Sequence, residues 1–248
     1  MKIAIIIQAR TGSTRLANKM LKPFYQNQTI LHIIIENLKR DIDLPIILAT
    51  TNNPNDDCIE EVAEENGIFC FRGSEENVLQ RFIDAANQYQ VEVIIRVCAD
   101  NPFLNPAYIL SLIDLYKESQ SDYISFKTKN DIPTIKTHYG FFAELVSLSA
   151  LIKVEKLTNE KLYREHVTNF IYINTPLFDV KLIAIPFEEN ESIRLTIDTL
   201  EDFNLAQSIY KELKKDHDTI SPQLVISYLN QNKDYLKQMQ QQIQLQQK

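Results

Sequence analysis

Glycine is scarce in this chain, with four among 248 residues. That scarcity excludes the glycine-rich phosphate loops. A Walker A loop needs GxxxxGK[ST], but Gly12 stands seven residues before Lys19, no second glycine precedes that lysine, and Met20 follows it. With Gly12 alone, a GxGxxG dinucleotide fingerprint is excluded too. Cysteine is equally sparse. Cys58, Cys70 and Cys98 are odd in number and show no CxxC spacing, and Cys70 and Cys98 lie in apolar, strand-like runs, which reads as reduced core thiols of a cytosolic protein. No pair of His and Cys residues has zinc-ligand spacing, and no GxSxG elbow or hydrolase triad is present. No apolar run approaches the ~20 residues of a membrane span. The run Ile3 to Ile7 is too short for a signal-peptide core before "QAR" interrupts it, so the expected location is the cytoplasm. Basic excess is missing as well: the formal charge of −7 argues against a general nucleic-acid binder.

What is present is an ordinary globular composition, 44% apolar and 24% charged, in a chain long enough to bury roughly three quarters of its unfolded surface. The charge is unevenly placed. Met1 to Ile35 contains no acid, while Lys2, Arg10, Arg15, Lys19 and Lys22 give +5, leaving −12 for the other 213 residues. A positive focus on an acidic body suits a small anionic ligand; a chance cluster on a solvated surface is the alternative.

Segments 2–9, 45–51, 68–73 and 92–99 are β-branched runs apolar on both faces, as buried parallel strands are. Helix-period segments at 29–40, 55–66, 75–89 and 106–119 alternate with them. The expected fold is therefore α/β, a doubly wound and mostly parallel sheet, with its ligand crevice beyond the carboxyl ends of the strands. In the second half, 122–127, 134–145, "FDVKLIAIP" and "SIRLTID" read as strands, 147–154 and 159–174 as helices with Asn159 a candidate cap, and 200–215 as a strongly periodic helix. No linker rich in Gly, Ser or Pro appears. The reading is one domain over 1–220 with an inserted hairpin and helical region at 122–175, then a helix and Gln-rich tail over 221–248, to which no chemistry is assigned.

The first predicted strand ends in a cationic, hydroxyl-rich loop, "IIIQARTGSTRLANK". Gly12 permits a tight turn whose amides can face an anion. Thr11, Ser13 and Thr14 supply hydroxyls, Arg10 and Arg15 planar forks for phosphate oxygens, and Lys19 a compact charge. "IIQARTGSTRLANKML" closely resembles the signature loop of the cytidylyltransferases that make CMP-activated sugars, a superfamily including the acylneuraminate and 3-deoxy-manno-octulosonate enzymes. The "QARxGSTRL" form is most similar to the spore-coat polysaccharide biosynthesis branch. "RGSEENVLQRF", "RVCADNPFLNP", "REHVTNFI" and "RLTIDTLED" continue the likeness in order to about residue 205. Where the family usually has Pro-Gly before the lysine, this chain has Ala17 and Asn18.

The resemblance implies a nucleotidyltransferase fold, CTP and a small sugar acceptor as ligands, Mg²⁺ as cofactor, and a homodimer formed through the 122–175 region, whose aromatic residues core packing explains equally well. It places the nucleotide on Gln8, Ala9, Arg10, Thr11, Gly12, Ser13, Arg15, Lys19, Arg96 and Asp100, with Arg10, Arg15, Lys19 and Asp100 as the catalytic set. Asp100 and Asp198 are the implied metal ligands. Each closes a predicted strand, which puts both on the ligand edge; each is also explained by a turn or helix start. On the acceptor side stand Arg72, Ser74, Asn77, Arg81, Glu165 and His166. Against these roles, Ser74 is a good N-cap, Arg81 fits a solvated helix surface, and a lone helical histidine is commonly structural. Two other functions are compatible with such a fold. A glycosyltransferase would usually carry a DxD motif, which "NDD" at 55–57 is not, and a silent nucleotide-binding protein would bind CTP without releasing pyrophosphate.

Overall fold

The computed structural model describes residues 2–12 and 15–246. Its centre is a seven-stranded sheet in the order β5-β4-β1-β6-β8-β7-β9. The strands are β1 (Ile3–Gln8), β4 (Ile46–Thr51), β5 (Phe69–Gly73), β6 (Val93–Cys98), β7 (Tyr123–Lys127), β8 (Glu144–Ser147) and β9 (Val180–Ala184). A separate two-stranded hairpin joins β2 (Pro23–Tyr25) to β3 (Gln28–Thr29). β1 lies parallel between β4 and β6, and β4 pairs parallel with β5. β8 runs antiparallel to both β6 and β7, and β9 returns parallel to β7.

The inner strands β1, β4 and β6 are apolar on both sides because both faces of the sheet are covered there. Ile5 and Ile7 of β1 join the larger core, against α1 (Ile30–Asp41), α2 (Asp57–Glu65), α4 (Pro106–Ser119) and α8 (Leu200–Asp216). Ala4 and Ile6, one residue out of phase, join the second core against α3 (Val78–Gln88) and α5 (Leu148–Leu157). Since β1, β4, β5 and β6 are parallel, their carboxyl ends share one edge. The loops at 9–18, 52–56, 74–77 and 99–105 all leave from it.

The second half departs from expectation in four places. Segment 134–145 is not one strand: 134–136 form a 3₁₀ turn, and β8 starts only at Glu144. Gly140 breaks the run. Its φ of +69° is left-handed, and a Cβ there would lie 3.1 Å from the Leu195 carbonyl carbon, so the position needs glycine. Segment 192–198 is no strand either. The Leu195 and Ile197 amides donate to the carbonyls of His138 and Asp100, at 2.7 and 3.2 Å, which threads this stretch between two loops instead of into the ladder. The helix expected over 159–174 divides into α6 (Lys161–Glu165) and α7 (Asn169–Ile173). Between them Val167 is fully buried and the Thr168 hydroxyl donates to Glu144 at 2.8 Å, a contact that pulls the backbone inward. Glu160, not Asn159, holds the N-cap position of α6. Finally, the 122–175 region does not stand apart, since β7 and β8 are members of the central sheet.

After α8, α9 (Pro222–Gln231) buries Val225 and Leu229 completely, and the Gln-rich end is a helix, α10 (Lys233–Gln246), that buries Met239.

Candidate active site

The loop after β1 is anchored from below by a residue outside the motif. Asp56 sits in the turn after β4 and is buried. Its Oδ1 accepts from the Thr11 amide at 2.7 Å and the Thr11 hydroxyl at 2.6 Å, while Oδ2 accepts from the Thr51 hydroxyl. Both donors of Thr11, expected to face phosphate, are thus occupied by protein. Burial pushes the Asp56 carboxyl upward, but the hydrogen bonds from Thr11 and Thr51 outweigh it and hold its pKa below the usual value. The stabilisation this depressed pKa represents is present above the ordinary carboxylate pKa of about 3.9 and is lost as pH falls through the lower folded value. Asp56→Asn is expected to cost about 1.5–3 kcal/mol at pH 7, with the gap to wild type narrowing below about pH 4. Urea unfolding at pH 7 and pH 3 checks this; a gap constant with pH would refute it.

Gly12 is not left-handed; its constraint is space, since a Cβ would come 3.3 Å from a Glu75 carboxylate oxygen. Arg10 faces the same carboxylate at 3.8 Å. Ser13 and Thr14 lie outside the described residues. The Ala17–Asn18 departure is accommodated by Asn18, whose φ of 54° is left-handed. Asparagine tolerates that region far better than most residues, so it performs the turn that glycine would. The turn delivers Lys19 into the site, where it is 8% exposed.

The Lys19 ammonium lies 2.9 Å from Asp100 Oδ2 and 3.8 Å from Asp198 Oδ1, and it donates to the Ile197 carbonyl. Arg15 Nη2 reaches Asp198 Oδ1 at 2.9 Å. One lysine therefore stands between two carboxylates brought together from the ends of β6 and the 192–198 segment. Asp198 does not close a strand. It precedes the true helix start, where Thr199 and Asp202 form a capping box, and this leaves the Asp198 side chain to the cleft. Its Oδ2 accepts at 2.9 Å from Arg194, a guanidinium buried completely and held bidentately by Asp202 at 2.8 and 2.9 Å.

Two adjoining cavities open here. One, of about 260 Å³, is lined by Gln8, Arg10, Gly12, Arg15, Lys19 and Glu165, among others. The neighbour, of about 570 Å³, is lined by Arg96, Lys136, His138, His166, Asn169 and Ile243, among others. Arg15, Cys98, Asp100 and Asp198 belong to both. Burial pushes the Cys98 thiol up to about 11, so it is a neutral wall at pH 7. Arg96 is buried, bonded to Glu144 and 3.2 Å from the Gln8 amide oxygen. Glu144 also accepts from Tyr123 and Thr168, so one carboxylate ties β6, β7 and the α6–α7 break together beneath the larger cavity. Ala9 is buried beneath the loop.

The "RGSEENVLQRF" segment is a different matter: Arg72, Ser74, Asn77 and Arg81 line neither cavity. Arg72 is held by Asp57, Glu60 and the carbonyls of Thr51 and Asn53. Ser74 Oγ accepts from the Asn77 amide, and Asn77 caps α3. Arg81 is not on a solvated surface: it is fully buried, with Nη1 donating to the Ser74 carbonyl and both Nε and Nη2 without a partner among the described residues. Burial, reinforced by the nearby Arg10 charge, pulls its pKa down to about 10. Glu165 and His166 do line the cleft. Lys136, His138, Arg194 and Asp202 were not anticipated. The "TIKTH" alternation at 134–138, which puts Lys136 and His138 on one side, was the available signal.

The arrangement combines cations for a polyphosphate with a carboxylate pair. Among the described residues there is no cluster of three or more His, Cys, Asp or Glu. Two carboxylates suffice for Mg²⁺, which takes its remaining ligands from phosphate and water. The donor set fits. Asp100 Oδ1 has no partner among the described residues, and each Asp198 oxygen retains a lone pair beyond its cation contact.

The sequence profile of the cytidylyltransferase family matches residues 4–247. An uncharacterised protein of Methanocaldococcus jannaschii is 41% identical over 236 residues, covering 94% of this chain and 92% of that one. The spore coat polysaccharide biosynthesis protein SpsF of Bacillus subtilis is 33% identical, covering 94% and 95%. Among solved structures, a cytidylyltransferase from Leptospira borgpetersenii superposes with a TM-score of 0.83 at 30% identity, over 95% and 97% of the two chains. A CMP:2-keto-3-deoxy-manno-octonic acid synthetase complexed with CTP shares the fold, with a TM-score of 0.66 at 12% identity over 86% and 99%. The profile match across almost the whole length and the identities of 33 and 41% place the chain in the cytidylyltransferase family of nucleotidyltransferases.

Proposed function

We propose that the chain transfers CMP from CTP to an anionic sugar, releasing pyrophosphate, in the synthesis of a surface polysaccharide. The observation that carries this is the pair of adjoining cavities whose common wall is Arg15, Cys98, Asp100 and Asp198. In-line displacement at phosphorus needs the entering and leaving oxygens on opposite sides of one centre. The smaller cavity, with Arg10, Arg15 and Lys19, holds the triphosphate, and the larger one holds the acceptor. An acceptor hydroxyl oxygen bonds to the α-phosphorus, the α–β bridging bond breaks, and its electrons leave with pyrophosphate. Arg10, Arg15 and Lys19 neutralise that leaving charge, while His166 lies on the acceptor side to take the hydroxyl proton. Asp100 and Asp198 would hold Mg²⁺, which supplies charge neutralisation on the phosphate oxygens when bound. The name of the Bacillus relative and the CTP complex of a structural neighbour support the substrate assignment. The homodimer belongs to the same proposal: α5–α7 and the turn after them expose Leu157, Leu162, Ile173 and Leu177. So does the cytoplasmic setting, in keeping with three free thiols and with the lack, among the described residues, of any helix long and apolar enough to cross a membrane.

Incubation with each of the four nucleoside triphosphates, Mg²⁺ and a panel of acidic sugars, with pyrophosphate as readout, tests the reading. Release is expected with CTP alone and is expected to stop on addition of EDTA. Release with another base, or no CTP binding by calorimetry, overturns it.

A further inference from the structure

The larger cavity contains two groups that no part of the phosphate chemistry uses, Lys136 and His138. They are two residues apart on the turn before Gly140, and their segment is fixed because the His138 carbonyl accepts from the Leu195 amide at 2.7 Å. Lys136 is exposed and its ammonium has no hydrogen-bond or ion-pair partner among the described residues, although the other cations facing the cleft are engaged by carboxylates.

His138 is partnered on one side only. Its Nδ1 lies 2.8 Å from Arg194 Nη1. A guanidinium has no acceptor, so Nδ1 must accept and the ring proton is on Nε2. Arg194 cannot turn away, because it is fully buried and clamped by Asp202 and Asp198. Burial, and then the Arg194 charge, push the His138 pKa below its ordinary value. Nε2–H has no partner among the described residues. The same guanidinium thus orients Asp198 and sets the tautomer of His138, which links the metal-binding acid to the wall of the neighbouring cavity.

We infer that Lys136 and the Nε2–H of His138 form the subsite that holds the acceptor's anionic group, a carboxylate or a phosphate. The inference rests on the cytidylyl-transfer reading, since that reading makes this cavity the acceptor's. Lys136 supplies a mobile point charge and His138 a fixed neutral donor, a combination that favours an anion without adding a second permanent charge beside Arg15 and Arg96.

The experiment uses the full chain, ¹⁵N-labelled at histidine and saturated with CTP so that the triphosphate loop is filled. Inorganic phosphate and acetate are titrated separately as probes. The His138 ring is expected to show the Nε2–H tautomer, and its Nε2 resonance is expected to move with at least one probe. A response to phosphate alone identifies a sugar phosphate as acceptor; a response to acetate identifies a sugar acid. Lys136→Gln is expected to weaken the responding probe about fivefold or more. The kinetic arm uses any acidic sugar turned over by wild type. Glutamine places its amide N–H where histidine has Nε2, while asparagine mimics only the Nδ1 side. His138→Gln should therefore keep the acceptor KM within about threefold, whereas His138→Asn and His138→Ala raise it about tenfold or more, with the CTP KM unchanged in all three. An Nδ1–H tautomer, no His138 response to either anion, or full activity in His138→Asn with loss in His138→Gln would overturn the inference and leave His138 as a structural partner of Arg194. Failure of CTP to bind would count against the cytidylyl reading instead, and the probe response is then read on the unliganded protein.

Discussion

Lys19→Met is expected to lower kcat/KM for CTP by about 10²–10³-fold, the usual effect of removing one preorganised stabiliser of developing charge. Lys19 is 8% exposed, and its ammonium is fixed by Asp100, Asp198 and the Ile197 carbonyl. A cation already oriented and largely stripped of water undergoes little reorganisation when negative charge appears on the leaving pyrophosphate. Methionine fills a similar volume, so the loss reports charge more than packing. A second readout moves the opposite way. Without the ammonium, Asp100 and Asp198 face each other with one fewer compensating charge, and a divalent cation is bound more tightly. Mn²⁺ affinity measured by paramagnetic relaxation should rise while turnover falls. Lys19→Arg keeps the charge but cannot occupy the same compact position, so it is expected to rescue only part of the rate. Pyrophosphate release within about threefold of wild type in Lys19→Met would remove the lysine from the machinery.

The parts of this molecule legible in its sequence are those governed by short-range pattern. Strands β1, β4 and β6 are continuous apolar runs because two layers of helix bury them, β5 is a half-buried edge strand, and the four helices after or between them keep a clear period. The cationic loop at Arg10, Arg15 and Lys19 and the acid at Asp100 follow from parallel strands sharing one edge. What pattern could not show is pairing across distance. Arg194 meets His138 from 56 residues away, and Asp56 meets Thr11 from 45. Each acid or base reads as an exposed polar residue until its partner is placed. Arg81 is the sharpest case: on helical period it fits a solvated surface, yet it is fully buried with two guanidinium nitrogens unmatched among the described residues. The strand expected at 134–145 failed for a local reason of the same kind, because β propensity carries no information about the Leu195 backbone that crosses Gly140. Asn18 shows the reverse. Where the family usually has glycine, Asn18 takes a left-handed φ of 54°, a region asparagine tolerates better than most residues.

Asp202→Ala is expected to be the most destabilising single change near the site, at about 3–5 kcal/mol. Asp202 is 3% exposed and makes five contacts of distinct kinds. It grips Arg194 Nε and Nη2, accepts from the Asp198 and Thr199 amides at 3.0 Å each, and gives its own amide to the Thr199 hydroxyl. The substitution leaves a fully buried guanidinium with its principal carboxylate gone and removes half of the capping box of α8. At about 2–4 °C per kcal/mol for a chain of this size, the melting temperature should fall by about 6–20 °C. Burial pushes the Asp202 carboxyl up, but the Arg194 hydrogen bonds and charge outweigh that and hold it below the usual range. Its contribution is therefore present above a pH of about 4 and lost as pH falls through the folded value, so the difference between wild type and variant should shrink in acid. The paired variant Arg194→Met with Asp202→Leu separates charge from packing. Burying an apolar pair leaves no uncompensated ion, so the double change should cost less than either single one. It would still abolish the orientation of Asp198 and His138, so turnover should stay low in the double variant even as stability returns. Urea unfolding and pyrophosphate release measured on the same four proteins decide the matter. If activity recovers together with stability, the buried guanidinium is a structural brace alone, and the link from Arg194 to the site is lost.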